Sequence, residues 1–119
     1  MTPKERTLVD LFTNVITRGN YVQFMYDQKI RVVETYVVGE LWKLGLGEFE
    51  EGELAIRCYF IRGETSKIMK TDLDRWRIFK LKRILNIEIL NEFSKYERKG
   101  YHLNDKDFHK IICQYQPKR

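Results

Sequence analysis

The residues best equipped for chemistry in this chain are arginines set among aromatics. Arg75-Trp76-Arg77-Ile78-Phe79-Lys80-Leu81-Lys82-Arg83 places five cations in nine residues. On a strand, alternate side chains share a face. Arg75, Arg77, Phe79, Leu81 and Arg83 then point one way, and Trp76, Ile78, Lys80 and Lys82 the other. A guanidinium grips phosphate through a two-pronged fork, and an aromatic ring stacks on a base. The competing reading makes Ile78, Phe79 and Leu81 core, with the basic side chains reaching past them to water. Arg57 adds weight to the first. It interrupts the apolar run Leu54-Ala55-Ile56-Arg57-Cys58-Tyr59-Phe60, where an unpaired charge is costly. It therefore calls for a carboxylate or a bound anion, and Glu34 in a neighbouring strand is a candidate internal partner.

Other chemistries find less support. His109 and Cys113 are spaced i, i+4 and share a face if the segment is helical, with His102 nearby. Two or three ligands fall short of the four of a structural zinc site, so no metal is expected. Glu48, Glu50, Glu51 and Glu53 lack the spaced Asp/Asn ligands of a calcium loop and read as solvated charge. The same Cys113 and His109 are the only local nucleophile–base candidates, without an orienting third group. There is no G-x-S-x-G elbow, Walker loop or G-x-G-x-x-G. The expectation is a non-enzymatic protein with no cofactor.

The composition agrees with a binding role. The chain has 119 residues, 43% hydrophobic and 33% charged, which fits one ordinary domain and excludes a disordered chain. Its net charge is +5. Residues 1–60 carry 7 basic and 9 acidic side chains, and residues 61–119 carry 15 and 8. The whole surplus thus lies in the second half, which points to an anionic partner. The two cysteines, Cys58 and Cys113, form no disulfide framework. No apolar leader and no run near ~20 residues is present. The expectation is a cytoplasmic protein away from membranes.

The positioning elements follow from period and capping. Thr2-Pro3-Lys4-Glu5 reads as a capping box with Pro at the first helical position, and Leu8, Leu11, Phe12, Val15 and Ile16 form an apolar stripe. Gly19 ends a helix over about 3–18. Tyr21–Tyr26 and Ile30–Val38 read as a hairpin around Asp27-Gln28-Lys29, and Gly39 as a bend or bulge before Leu41-Trp42-Lys43-Leu44. Gly45, Gly47 and Gly52 bracket the acidic loop. Leu54–Ile61, Trp76–Leu81 and Ile84–Leu90 are further strands, with a barrel over about 20–90. Residues 67–74 and 93–103 read as irregular. Asn104 is placed to cap a short final helix with Phe108, Ile111, Ile112 and Tyr115 on its face. Helix, five or six short antiparallel strands and a short helix make a mainly β (α+β) fold curled into a small barrel.

The ordered motifs resemble the WYL domain family, in particular its small stand-alone bacterial members. Val22-Gln23-Phe24-Met25-Tyr26 is similar to the family's opening strand. Arg31-Val32-Val33-Glu34 is similar to "R-x-V-E-P", with Thr35 in place of Pro. Ala55-Ile56-Arg57-Cys58-Tyr59 is similar to "A-L-R-A-Y", and Trp76–Ile84 to the closing "R-x-F-x-L-D-R-I", with Lys82 in place of Asp. Gly100-Tyr101 and Asn104-Asp105-Lys106 echo the stand-alone tail. The naming tripeptide falls on Leu54-Ala55-Ile56, without its Trp and Tyr. The resemblance implies an SH3-like or Sm-like barrel with an N-terminal helix, and a regulatory domain that senses a nucleotide or nucleic acid. One helix before the first strand is too few for a helix-turn-helix, which needs two.

The expectation is a ligand-sensing module that binds a nucleotide, oligonucleotide or single-stranded nucleic acid. Arg57, Arg77 and Arg83 neutralise phosphate, Tyr26 and Tyr59 hydrogen-bond or stack, and Arg31 is a further member. The alternative is a protein-interaction module, docking a partner or a second copy through the helix stripe or Trp42. An enzyme built on His109 or His102 is the third reading.

Overall fold

The computed structural model describes residues 1–42, 52–65 and 67–117. Helix α1 (Pro3–Arg18) starts and stops where its caps dictate. Thr2 Oγ1 accepts from the Glu5 amide at 3.1 Å, and Glu5 Oε1 accepts from the Thr2 amide at 3.0 Å. Gly19 takes a left-handed φ of 83° and closes the helix on Val15. The buried face is Leu8, Val9, Phe12, Val15 and Ile16, with Val9 rather than Leu11 completing it. That face packs on the strands, so the helix stripe proposed as a docking surface is spent inside the molecule.

Strands β1 (Asn20–Tyr26) and β2 (Lys29–Leu41) form the expected hairpin. Asp27 and Gln28 both have positive φ, 51° and 64°. A two-residue loop of that kind matches the right-handed twist of the flanking strands. Strand β2 organises the sheet. Along one edge it pairs with β3 (Leu54–Gly63). Along the other its first half pairs with β1, and its second half with β6 (Phe108–Gln114). Tyr36 is the extra residue where the β2–β3 register shifts, and such a bulge bends and twists a strand. Strand β4 (Trp76–Lys80) continues outward from β3, and β5 (Leu85–Phe93) from β1. The order is β4-β3-β2-β1-β5, all antiparallel, with β6 added on β2.

Two expectations are corrected. The final segment is a strand, not a short helix. A seven-residue helix is marginal by itself, whereas the second half of β2 offers an open ladder from Val37–Gln114 to Leu41–Phe108. Gly39 permits this approach, since a Cβ there would lie 2.2 Å from the Lys110 carbonyl oxygen. The barrel is also not closed. Among the described residues β4 and β5 are the two ends of the sheet, joined by a single 3₁₀ turn at Leu81–Arg83.

Apolar side chains gather on both faces of β2. Val22, Phe24, Val33, Ile56, Cys58 and Phe79 lie beneath α1 on the inner face, and Tyr36, Val37, Ala55, Tyr59 and Phe108 form an outer cluster. Covered on both faces, β2 is buried without a break from Arg31 to Gly39. No helix among the described residues is long and apolar enough to cross a membrane. Lys43 to Glu51, which hold most of the acidic loop, lie outside the described residues.

Candidate anion-binding face

The cross-strand register decides which arginines meet. Arg77 pairs with Cys58, which pairs with Thr35, so these three side chains stand in one row on the inner face. Arg57 pairs with Ile78 and therefore points to the opposite face. The expected cluster of Arg57, Arg77 and Arg83 is not assembled. What gathers instead is Arg31, Arg77, Arg83 and Tyr26.

Arg31 is 8% exposed. Its guanidinium carbon lies 5.4 Å from the Phe79 ring centroid and 6.0 Å from that of Tyr26. Its Nη2 donates to the Tyr26 carbonyl at 3.3 Å, and its Nε is buried with no partner. Arg77 lies 6.0 Å from the Phe60 ring and donates through Nη1 to the carbonyls of Asp74 and Trp76, while its Nη2 is buried and unpartnered. Burial, with repulsion from Arg31, holds the Arg77 pKa below its ordinary value. Arg75 approaches the same region and donates to the Phe60 and Ile61 carbonyls at 3.1 and 3.2 Å. Arg83 sits 4.6 Å from the Tyr26 ring and is paired with Asp27, whose hydrogen bond raises its pKa. The Tyr26 ring is buried, and its hydroxyl accepts from the Lys80 amide at 3.2 Å.

Thr35 Oγ1 is buried and unpartnered as well. Among the described residues, the unpartnered buried side-chain atoms are Arg31 Nε, Thr35 Oγ1 and Arg77 Nη2, and all three belong to this face. Buried polar groups ordinarily find partners. Two of the three are cationic, and an unpartnered guanidinium donor is one that an anion would satisfy. Cys58 lies in the same row with its thiol pKa raised by complete burial, although Arg57, Arg77 and Arg31 pull it down. A thiol so buried is a poor nucleophile.

The opposite face is internally neutralised. Arg57 Nε meets Asp105 Oδ2 at 2.7 Å, and its Nη2 pairs with Asp107. Burial works against its charge, but the two carboxylates outweigh it and raise its pKa. Its carboxylate partners are thus Asp105 and Asp107 rather than Glu34. Glu34 takes Arg98 at 3.4 Å and the Tyr36 hydroxyl. Tyr59 lies beneath Arg98, whose guanidinium carbon is 4.9 Å from its ring and 4.4 Å from that of Tyr96. Arg57, Trp76, Tyr101, His102, Asp105 and Asp107 line a cleft of about 420 Å³ on this side.

The remaining candidates disperse. On a strand, i, i+4 spacing separates His109 and Cys113 by about 13 Å, and no metal-ligating cluster occurs among the described residues. Trp42 is half-exposed and packs against His109 with the rings tilted at 56° and their centroids 4.5 Å apart. Glu53 bridges Lys80 at 2.9 Å and Lys82 at 2.6 Å, and their hydrogen bonds lower its pKa to about 2. Three of the five cations of the basic run, Lys80, Lys82 and Arg83, are balanced in this way by Glu53 and Asp27. Sequence reasoning missed Arg98, which lies in a polar irregular segment with no pattern to mark it. It also missed Thr35, whose only signal was its place where the resembling family carries Pro. No family model, curated protein or solved structure matches the chain.

Proposed function

We propose that the protein is a non-enzymatic ligand-sensing module that binds a nucleotide or another phosphate-bearing nucleic-acid ligand on the inner face of β2–β4. Arg31 and Arg77 hold the phosphate, Thr35 adds a hydroxyl donor, and Arg83 above Tyr26 forms the rim. The observation that carries this reading is the set of unpartnered buried donors at Arg31, Thr35 and Arg77. A guanidinium–phosphate bond is charge-assisted and worth about 1.5–3 kcal/mol. The motif resemblance to WYL domains supports the same ligand class. The strand order, with a 3₁₀ turn between β4 and β5, suits an SH3-like or Sm-like barrel opened between those strands.

The test is fluorescence anisotropy with labelled nucleotides and a short single-stranded oligonucleotide across a salt series. Arg31→Ala with Arg77→Ala should abolish binding. Either single change should weaken it about tenfold or more and lower the salt slope by about one. Arg57→Ala should leave both intact, because Asp105 and Asp107 already hold Arg57. Binding that survives the double change but is lost with Arg57→Ala refutes the assignment.

A further inference from the structure

The charges of the inner face do not balance among themselves. Arg57, Arg62, Arg83 and Arg98 each meet a carboxylate. Arg31 and Arg77 do not. Among the described residues their partners are backbone carbonyls and aromatic rings. Asp74 offers Arg77 its carbonyl oxygen, while its carboxylate accepts from the amides of Lys70 and Thr71. Arg75 is likewise bonded to carbonyls, those of Phe60 and Ile61. Arg31 and Thr35 are each more than nine-tenths buried, and Arg31 Nε and Arg77 Nη2 are shielded from water. Two guanidiniums thus occupy a poorly solvated region without an internal counter-charge, where charge is costly unless paired.

We infer that the group taken by this face is the terminal phosphate of a nucleotide, a monoester dianion, rather than an internal phosphodiester of a strand. The inference rests on the anion site proposed above and names the esterification state of its ligand. Charge is the first ground. A phosphate monoester carries about −1.5 to −2 at pH 7, which matches two guanidiniums, whereas a diester carries a single negative charge. Enclosure is the second. A diester continues as chain from two of its oxygens, and both continuations must leave the site. A monoester has one substituent and three free oxygens, so it can enter an enclosed face from one side and leave its sugar toward the rim, where Arg83 lies over the Tyr26 ring. Guanidinium forks bind such free oxygens in charge-assisted pairs.

Competition measured by anisotropy against a 3′-labelled oligonucleotide carrying a 5′-phosphate tests this. The phosphorylated strand should bind at least about tenfold tighter than the same strand ending in a 5′-hydroxyl. A nucleoside 5′-monophosphate should compete at least about tenfold better than its 3′,5′-cyclic form, which keeps base and sugar but is a diester. The tighter of the monophosphate and the phosphorylated strand tells a free nucleotide from a strand end. From pH 7.5 to pH 5 the monoester affinity should fall about tenfold, as the second phosphate proton with its pKa of about 6 returns, while the arginines stay charged. Competition by inorganic sulfate, doubly charged throughout, should not change. Arg31→Met should lose most of the preference for the monoester. Equal binding of the two strands, or of the monophosphate and its cyclic form, overturns the inference and leaves the anion site standing. So does a monoester affinity that is level across this pH range. Binding of none of these probes overturns the site, and the inference with it.

Discussion

Replacing Arg31 by Met separates an arginine kept for a ligand from one kept for stability. The buried guanidinium has one unpartnered Nε, one long hydrogen bond to the Tyr26 carbonyl, and a repulsive neighbour in Arg77. Burying an ion carries a penalty of several kcal/mol after relaxation. Against this, the desolvated stack over Phe79 at 5.4 Å returns about 2 kcal/mol, the longer contact with Tyr26 at 6.0 Å about 0.5–1 kcal/mol, and the single hydrogen bond about 1 kcal/mol. Methionine has a similar length and adapts to irregular gaps. Arg31→Met should therefore stabilise the unliganded protein by about 1–2 kcal/mol. For 119 residues, an unfolding entropy of about 2.1 cal/mol/K per residue makes 1 kcal/mol equivalent to about 4 °C. The expected rise in Tm is about 4–8 °C, read by thermal circular dichroism and checked by urea titration. Phosphate-bearing ligand at a hundredfold excess over the wild-type Kd should raise the wild-type stability by about 2.7 kcal/mol and that of the variant, its affinity lower by about tenfold or more, by no more than about 1.4 kcal/mol. A variant whose Tm falls by several degrees refutes the reasoning, because Arg31 would then be a structural residue already satisfied by its aromatic neighbours.

On the other face the sign reverses. Arg98→Ala leaves the buried Glu34 carboxylate with only the Tyr36 hydroxyl, and should cost about 3–5 kcal/mol in urea unfolding. Adding Glu34→Gln should recover part of that loss, and a cost below about 1 kcal/mol for Arg98→Ala would show the pair to be ornamental. The pH dependence follows from carboxylates held below the ordinary carboxylate range in the folded state: Glu5 by its hydrogen bonds from Thr2, Glu53 by Lys82 and Lys80, Asp74 by the Lys70 and Thr71 amides, and Glu92 by Arg62. Depressed carboxylates contribute stability above their unfolded pKa and lose it as pH falls through the folded one. The Tm should be level near neutrality and decline once pH drops below about 4.5. These groups are largely exposed, so the slope should be shallow and flatten further in high salt. A Tm that rises on acidification contradicts the assignment.

Local chemistry wrote much of the fold into the chain. The capping box at Thr2–Glu5, Pro3 and Gly19 bound the helix to the residue, because caps are short-range hydrogen bonds and a single φ. The hairpin was legible from a polar break between two β-branched and aromatic runs. Strands β3 and β4 were legible for the same reason, and so was the electropositive second half.

What local chemistry could not supply was register. Whether Arg57 and Arg77 share a face depends on Ile78, not Arg77, standing opposite Arg57 across β3 and β4. A one-residue slip would invert that answer. The partners of Arg57 come from a tail 48 and 50 residues away, and no periodicity encodes such a pairing. The fate of residues 108–114 was also tertiary. Their apolar spacing suits a helical face, but the free half-edge of β2 converts them to a strand. The sequence alone determined that this is a helix followed by antiparallel strands with its positive charge gathered late in the chain. Only the tertiary structure decided that Arg31, Thr35 and Arg77 lie on the inner face with donors unpartnered while Arg57 is closed by its own tail, because long-range pairing sets which side of a sheet each charge occupies.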